Sequence, residues 1–143
     1  MSLSVGKFFV KAIKDHTSFY NSIGGRLFPV ARTSEDEALD KIPYIIMRPV
    51  KVVNENGTKD MIASPDDTAT IELDLVAQSY SDLVDMAEQV RGIIEEAYLD
   101  ELDVESWPFI LEGYDFSADE VLYDPSKPCY YQTLRYMCQT TTK

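Results

Sequence analysis

Apolar and polar residues recur along this chain with two different periods, and the switches between them mark out its elements. Near the start, Val5, Phe8, Phe9, Ala12 and Ile13 follow the i, i+3, i+4, i+7, i+8 spacing of one buried helical stripe. Lys7, Lys11 and Lys14 fall on the opposite side of the wheel. The pattern predicts a helix over 4–19, with Ser4 as its N-cap. Asn21 to Gly25 end it, because glycine accepts the positive φ that closes a helix.

The period then shortens. GGRLFP (24–29) and IPYIIM (42–47) each join a proline to an apolar run, and predict extended segments at 26–31 and 43–53. The acidic connector TSEDEALDK lies between them. Pro29 and Pro43 have no amide proton, so each belongs at a strand end or on an edge. Each also drives the residue before it, Phe28 or Ile42, into extended geometry. NENGTK (54–59) holds Asn56-Gly57, the strongest short hairpin signal. It predicts a β-hairpin protruding around 50–63, either a surface hairpin or an arm that reaches a neighbour.

TIELDLVAQS (70–79) alternates, with Ile71, Leu73, Leu75 and Ala77 to one side and Thr70, Glu72, Asp74 and Gln78 to the other. That is a strand with one covered face and one wet face. A helix over 80–98 follows, its stripe formed by Leu83, Met86, Ala87, Val90, Ile93, Ile94 and Ala97. Ser79 and Asp82 resemble a capping box with Asp in place of Glu. Strand segments are expected at 109–116, 119–123 and 129–140, the last with Leu134, Tyr136 and Cys138 on one face. The order predicts an α+β fold, with two helices packed on a mainly antiparallel sheet.

At 143 residues the chain fits one domain, spanning 1–143. No apolar run approaches the ~18 residues of a membrane-spanning helix. The lysines inside the N-terminal apolar pattern fit neither a signal-peptide core nor a transit peptide, so folding in the cytoplasm is expected. Cys129 and Cys138 fall in one predicted strand, roughly 30 Å apart at ~3.3 Å per residue, too far for a disulfide.

The formal charge of −12 disfavours gripping phosphates. Its distribution is uneven. Residues 1–32 carry Lys7, Lys11, Lys14, Arg26 and Arg32 against Asp15, whereas 95–124 hold eleven acids and no Lys or Arg. This reads either as a solvated face or as opposite ends that meet on neighbouring copies. The five tyrosines of the C-terminal strands (114, 123, 130, 131 and 136) either fill the sheet with wet hydroxyls or form an interface.

Catalytic chemistry is thin. His16 is the only histidine, placed near a helix end. The double glycine at 24–25 precedes a strand, whereas phosphate loops precede helices. Acid pairs abound, but they lack the aromatic platforms of a sugar cleft, and no loop has calcium-binding spacing. No cofactor or metal is expected.

Taken in order, the leading amphipathic helix, GGRLFP, IPYIIM, TIELDLVAQS running into YSDLVDMAEQVRGII, and the tyrosine-rich closing strand resemble a known family. It is that of the small tail-completion proteins of long-tailed phages and prophages, which includes the tail-terminator proteins. The similarity spans roughly 5–138. It implies a non-catalytic subunit that assembles head to tail into a ring, hexameric in the family. The ring caps the tail tube, stops its polymerisation, and meets the head-completion or connector protein. DNA passes through without specific binding. The protein would act in the host cytoplasm during assembly and then sit in the virion neck. The long 54–67 excursion and the acidic 95–124 region depart from the family pattern. On this reading Lys7, Lys11, Lys14, Asn56, Gly57, Asp100, Glu101, Asp103, Glu105, Asp119 and Glu120 are the candidate subunit-contact residues. The alternative from a different class is a non-catalytic binding module that takes a peptide or small ligand on its sheet face.

Overall fold

The structure, a computed structural model, describes residues 4–29, 42–54, 66–100 and 108–142. Three helices lie on one face of a seven-stranded mixed sheet, so the fold is α+β. The helices are α1 (Val5–Asp15), α2 (Thr17–Ser22) and α3 (Tyr80–Asp100). The strands are β1 (Leu27–Pro29), β2 (Tyr44–Met47), β3 (Lys51–Asn54), β4 (Asp66–Ala77), β5 (Phe109–Ala118), β6 (Leu122–Asp124) and β7 (Cys129–Thr142).

The expected first helix is two. His16 leaves the helical region at φ −82°, ψ 81°, and the turn it makes lets α2 bury Phe19 at 2 % exposure. Ser4 stands at the N-cap, but its side chain makes no capping hydrogen bond. The glycines act as expected: Gly24 and Gly25 have φ of 63° and 69°, and their amides donate to the carbonyls of Asn21 and Tyr20. Arg26 then clamps the chain, its Nε donating to the Pro43 carbonyl at 3.0 Å.

GGRLFP and IPYIIM thereby become neighbours. Leu27, Phe28 and Pro29 pair with Ile45, Ile46 and Met47 in the one parallel pairing among the described strands. The sheet order is β1-β2-β4-β7-β5, with β3 beside β4 and β6 beside β7. The β4–β7 ladder is its spine, running from Asp66↔Thr141 to Ala77↔Tyr130.

The expected 43–53 strand is broken. Between the pairs Met47↔Leu73 and Lys51↔Thr70, Arg48, Pro49 and Val50 oppose only Ile71 and Glu72. That extra residue is a β-bulge, and Pro49, which cannot donate to a ladder, sits in it. β3 pairs with the start of β4 (Asn54↔Asp67), so β4 begins before the expected position 70. The predicted return strand at 58–63, with Asn56 and Gly57, lies outside the described residues. A second bulge falls at Glu112, between Leu111↔Thr140 and Gly113↔Gln139. There the Tyr98 hydroxyl of α3 donates to the Glu112 carbonyl at 3.0 Å.

Helix α3 starts where Ser79 Oγ accepts the Asp82 amide at 3.1 Å. Its apolar stripe, that of α1, and the inward residues of β4 and β7 form one continuous hydrophobic cluster. Gly6 lets α1 approach the bulge, since a Cβ there would stand 2.8 Å from Val50 Cγ2. Cys129 and Cys138 are both free and buried. No helix among the described residues is long and apolar enough to cross a membrane.

Candidate functional site

Three surfaces carry the chemistry. The first is the open face of the sheet, opposite the helices. Strand alternation sends Glu72 and Asp74 of β4 outward, next to Arg135 and Thr133 of β7, their ladder partners. Arg48, from the first bulge, donates through Nε to Asp74 at 2.8 Å and pairs through a terminal nitrogen with Glu72 at 3.2 Å. Arg135 bridges Glu72 at 3.4 Å and Asp119 at 3.2 Å. The Thr133 hydroxyl donates to the other Asp74 oxygen at 2.6 Å. Two guanidiniums and three carboxylates thus form one chain of ion pairs across the sheet. The hydrogen bond to Asp74 raises the pKa of Arg48, and that to Asp119 raises the pKa of Arg135, each above the ordinary arginine value. A ligand seated here would first meet charges that already satisfy one another.

The second surface is the exposed side of α1. Lys7, Lys11 and Lys14 rim a cleft of about 500 Å³ floored by Gly6, Val10, Met47 and Val50. Lys11 forms an ion pair with Asp15 one turn on, so the rim is basic with one acid inside it. Apolar floor and cationic rim together favour a partner with the converse pattern, an apolar tip among carboxylates.

The third surface is the exposed side of α3. Asp82, Asp85, Glu88, Glu95 and Glu96 are exposed there, and the one exposed base between them, Arg91, stacks over the Phe116 ring at 4.4 Å. Leu99 stands out at 71 % exposure. Helix α3 packs towards β5, through Tyr98 on Tyr114 and Arg91 on Phe116, while α1 packs towards the β2–β3 bulge. The basic and acidic helices therefore occupy opposite flanks of one layer.

Comparison with known proteins adds a fold. No protein-family model matches the chain, and no curated protein matches it. Among solved structures it is similar to a chain of the virion of a native gene transfer agent particle, with a TM-score of 0.66 at 10 % identity. The match covers 93 % of this chain and 91 % of that one. The two share a fold.

The expected contact residues are scattered across these surfaces. Lys7, Lys11 and Lys14 come together on α1. Asp119 is held within the chain: Arg135 pairs with its carboxylate, its amide donates to the Thr133 carbonyl, and Gln132 Nε2 donates to the Asp119 carbonyl. Glu120 is exposed beside it. Asp100 ends α3, while Asn56, Gly57, Glu101, Asp103 and Glu105 lie outside the described residues.

Sequence reasoning missed Arg48, Glu72, Asp74 and Arg135 as a set. Outward alternation marked the two acids as polar, but only the register shows which arginines face them. It also missed Leu99, although the spacing of Glu88, Glu95 and Leu99 (i, i+7, i+11) places them on one helical stripe. The tyrosines divide. Tyr136 is buried at 1 % exposure against Phe9, Tyr114 and Phe116, with ring centroids 5.0–5.4 Å away, so the expectation of wet hydroxyls fails there. Tyr123 and Tyr131 remain exposed.

Proposed function

We propose that this chain is a structural subunit of a phage-like particle. It assembles head to tail into a ring at the end of a tail tube, ends tube growth, and joins the tail to the head. The observation that carries this reading is the fold shared, over nearly the whole of both chains, with a component of the gene transfer agent virion. The order of motifs along the sequence points the same way. No catalytic step is needed. Capping is a matter of occupying the end of a polymer and presenting it with a surface to which the next tube subunit cannot add.

The charge distribution supports a ring. A closed ring of identical subunits joins unlike patches, so each subunit must carry both halves of the contact. The basic side of α1 and the acidic side of α3 are such halves, set on opposite flanks of the helical layer. A formal charge of −12 also suits a channel that DNA must traverse without sticking, since surplus carboxylates repel phosphates.

The test is to mix the purified chain with polymerising tail-tube protein encoded by the same genome and image the products. The expected outcome is tubes of limited length, each with a ring at one end. Tubes that grow as they do without the chain, with bare ends, would overturn the reading.

A further inference from the structure

We infer that Leu99 of one copy seats in the lysine-rimmed cleft of the next, with Glu88 and Glu95 of the first copy meeting Lys7 and Lys14 of the second. The inference rests on the ring reading and names the contact that closes it. Leu99 is 71 % exposed at the C-terminal end of α3, where burying a large apolar side chain removes substantial area from water. Glu88 and Glu95 share its stripe by helical spacing, and both are exposed. Gly92, between them, has open space around the position of a Cβ, which keeps the stripe low enough for close approach.

The receiving site has the complementary form. Its floor is Gly6, Val10, Met47 and Val50, Asp15 joins the three lysines around it, and its volume of about 500 Å³ admits an aliphatic side chain. Among the described residues no carboxylate pairs with Lys7 or Lys14. Within one chain the cleft opens beside Met47 and Val50, whereas Glu88 borders Arg91 and Phe116 on the β5 side, so the two patches face apart. They can meet only between copies, and the contact is then heterologous: it leaves one free patch of each kind at every step until the circle closes.

Cysteine cross-linking tests this directly, and captures an association too weak to survive dilution. Val10→Cys and Leu99→Cys are made in separate preparations, with the unsubstituted chain as background for the two buried native cysteines. Mild oxidation of the mixed preparations is expected to give a mixed dimer several-fold above either variant alone. The doubly substituted chain is expected to give a ladder. Charge reversal sharpens the result: Lys7→Glu with Lys14→Glu should lower the mixed-dimer yield about fivefold, and Glu88→Lys with Glu95→Lys on the partner should restore it. Equal yields of like and mixed dimers, or no cross-link above background, overturn the assigned contact. Rings seen at tube ends in the same preparations would then leave the ring reading standing. Bare tube ends would remove both.

Discussion

The β4–β7 ladder shows one face to the helices and the other to the open side, and the same backbone pairing serves two kinds of chemistry. Inward, Ala69, Ile71, Leu73 and Leu75 of β4 are each 0 % exposed, and Leu134, Tyr136 and Cys138 of β7 are at most 1 % exposed. Outward, the same strands carry Glu72, Asp74, Thr133 and Arg135, half-buried and bound to one another and to Arg48. The inner face draws its stability from area removed from water, which tolerates no missing volume. The outer face draws little net energy from its ion pairs, because solvent screens them. What those pairs select is register, since a slip of one residue would part Glu72 from Arg135 and turn the acids towards the covered face.

The largest expected effect therefore lies inside. Leu73→Ala should cost about 3 kcal/mol by leaving a cavity that its rigid neighbours cannot fill. Thr70→Ala, three ladder positions away on the open face, should cost under about 1 kcal/mol. Urea unfolding with an unchanged slope measures both. Equal losses would erase the distinction between the faces.

Alkaline pH probes the same face through its titrating groups. Burial pushes the Cys138 thiol up to about 12 and raises the Tyr136 hydroxyl above its ordinary value. The unfolded chain releases the thiol proton near its ordinary value, while the folded chain holds it. Between the two values the unfolded state binds fewer protons, so the free energy of unfolding falls as pH rises. The slope is about 1.4 kcal/mol per pH unit for each group in its window, and below pH about 8 the contribution is intact. Urea midpoints taken between pH 8 and roughly 10.5 should decline, and Cys138→Ala should flatten the earlier part of that decline. A midpoint constant across the range would contradict the burial of both groups.

The inner face was the legible one. The alternation of 70–79 and the helical stripe of 80–98 name the residues that meet in the core, because burial acts on one residue at a time. The break at His16 was not legible, since the 4–19 pattern is periodic across it and the gain comes from Phe19 reaching the core. Pro49 was the available signal for the first bulge, and Gly113 marked the neighbourhood of the second. The outer network was hidden for a different reason. Arg48 meets Glu72 and Asp74 only through a register that one extra residue sets, and Arg135 reaches Asp119 only after the chain turns twice. The two flanking surfaces were half legible: the lysines of α1 are visible on a wheel, whereas Met47 and Val50 join them only because Gly6 lets the helix approach.

A smaller effect is expected on the open face. Glu72 touches both arginines and is the hinge of the network. Glu72→Gln should cost about 1 kcal/mol at low salt, discounted for its partial exposure. Raising salt from roughly 0.05 to 1 M should weaken the unsubstituted chain and leave the variant nearly unchanged. Paired urea titrations at the two salt concentrations check this. A loss that persisted in full at high salt would mean that Glu72 is held by packing, and the two faces would differ less than the ion pairs imply.

The smallest effect, of the opposite sign, returns to the covered side. The Tyr136 hydroxyl is buried, and no hydrogen-bond partner reaches it among the described residues. Its ring is packed edge-on or tilted against Phe9, Tyr114 and Phe116, so the ring contributes and the oxygen opposes. Tyr136→Phe keeps the ring and removes the unpaired oxygen. The expected gain is up to about 1 kcal/mol, less whatever the void left by one atom takes back. Urea unfolding at pH 7 measures it away from the alkaline decline. A loss above about 1 kcal/mol would mean that the hydroxyl is bonded after all. Polar satisfaction would then govern the covered face as it governs the open one, and the contrast between them would rest on volume alone.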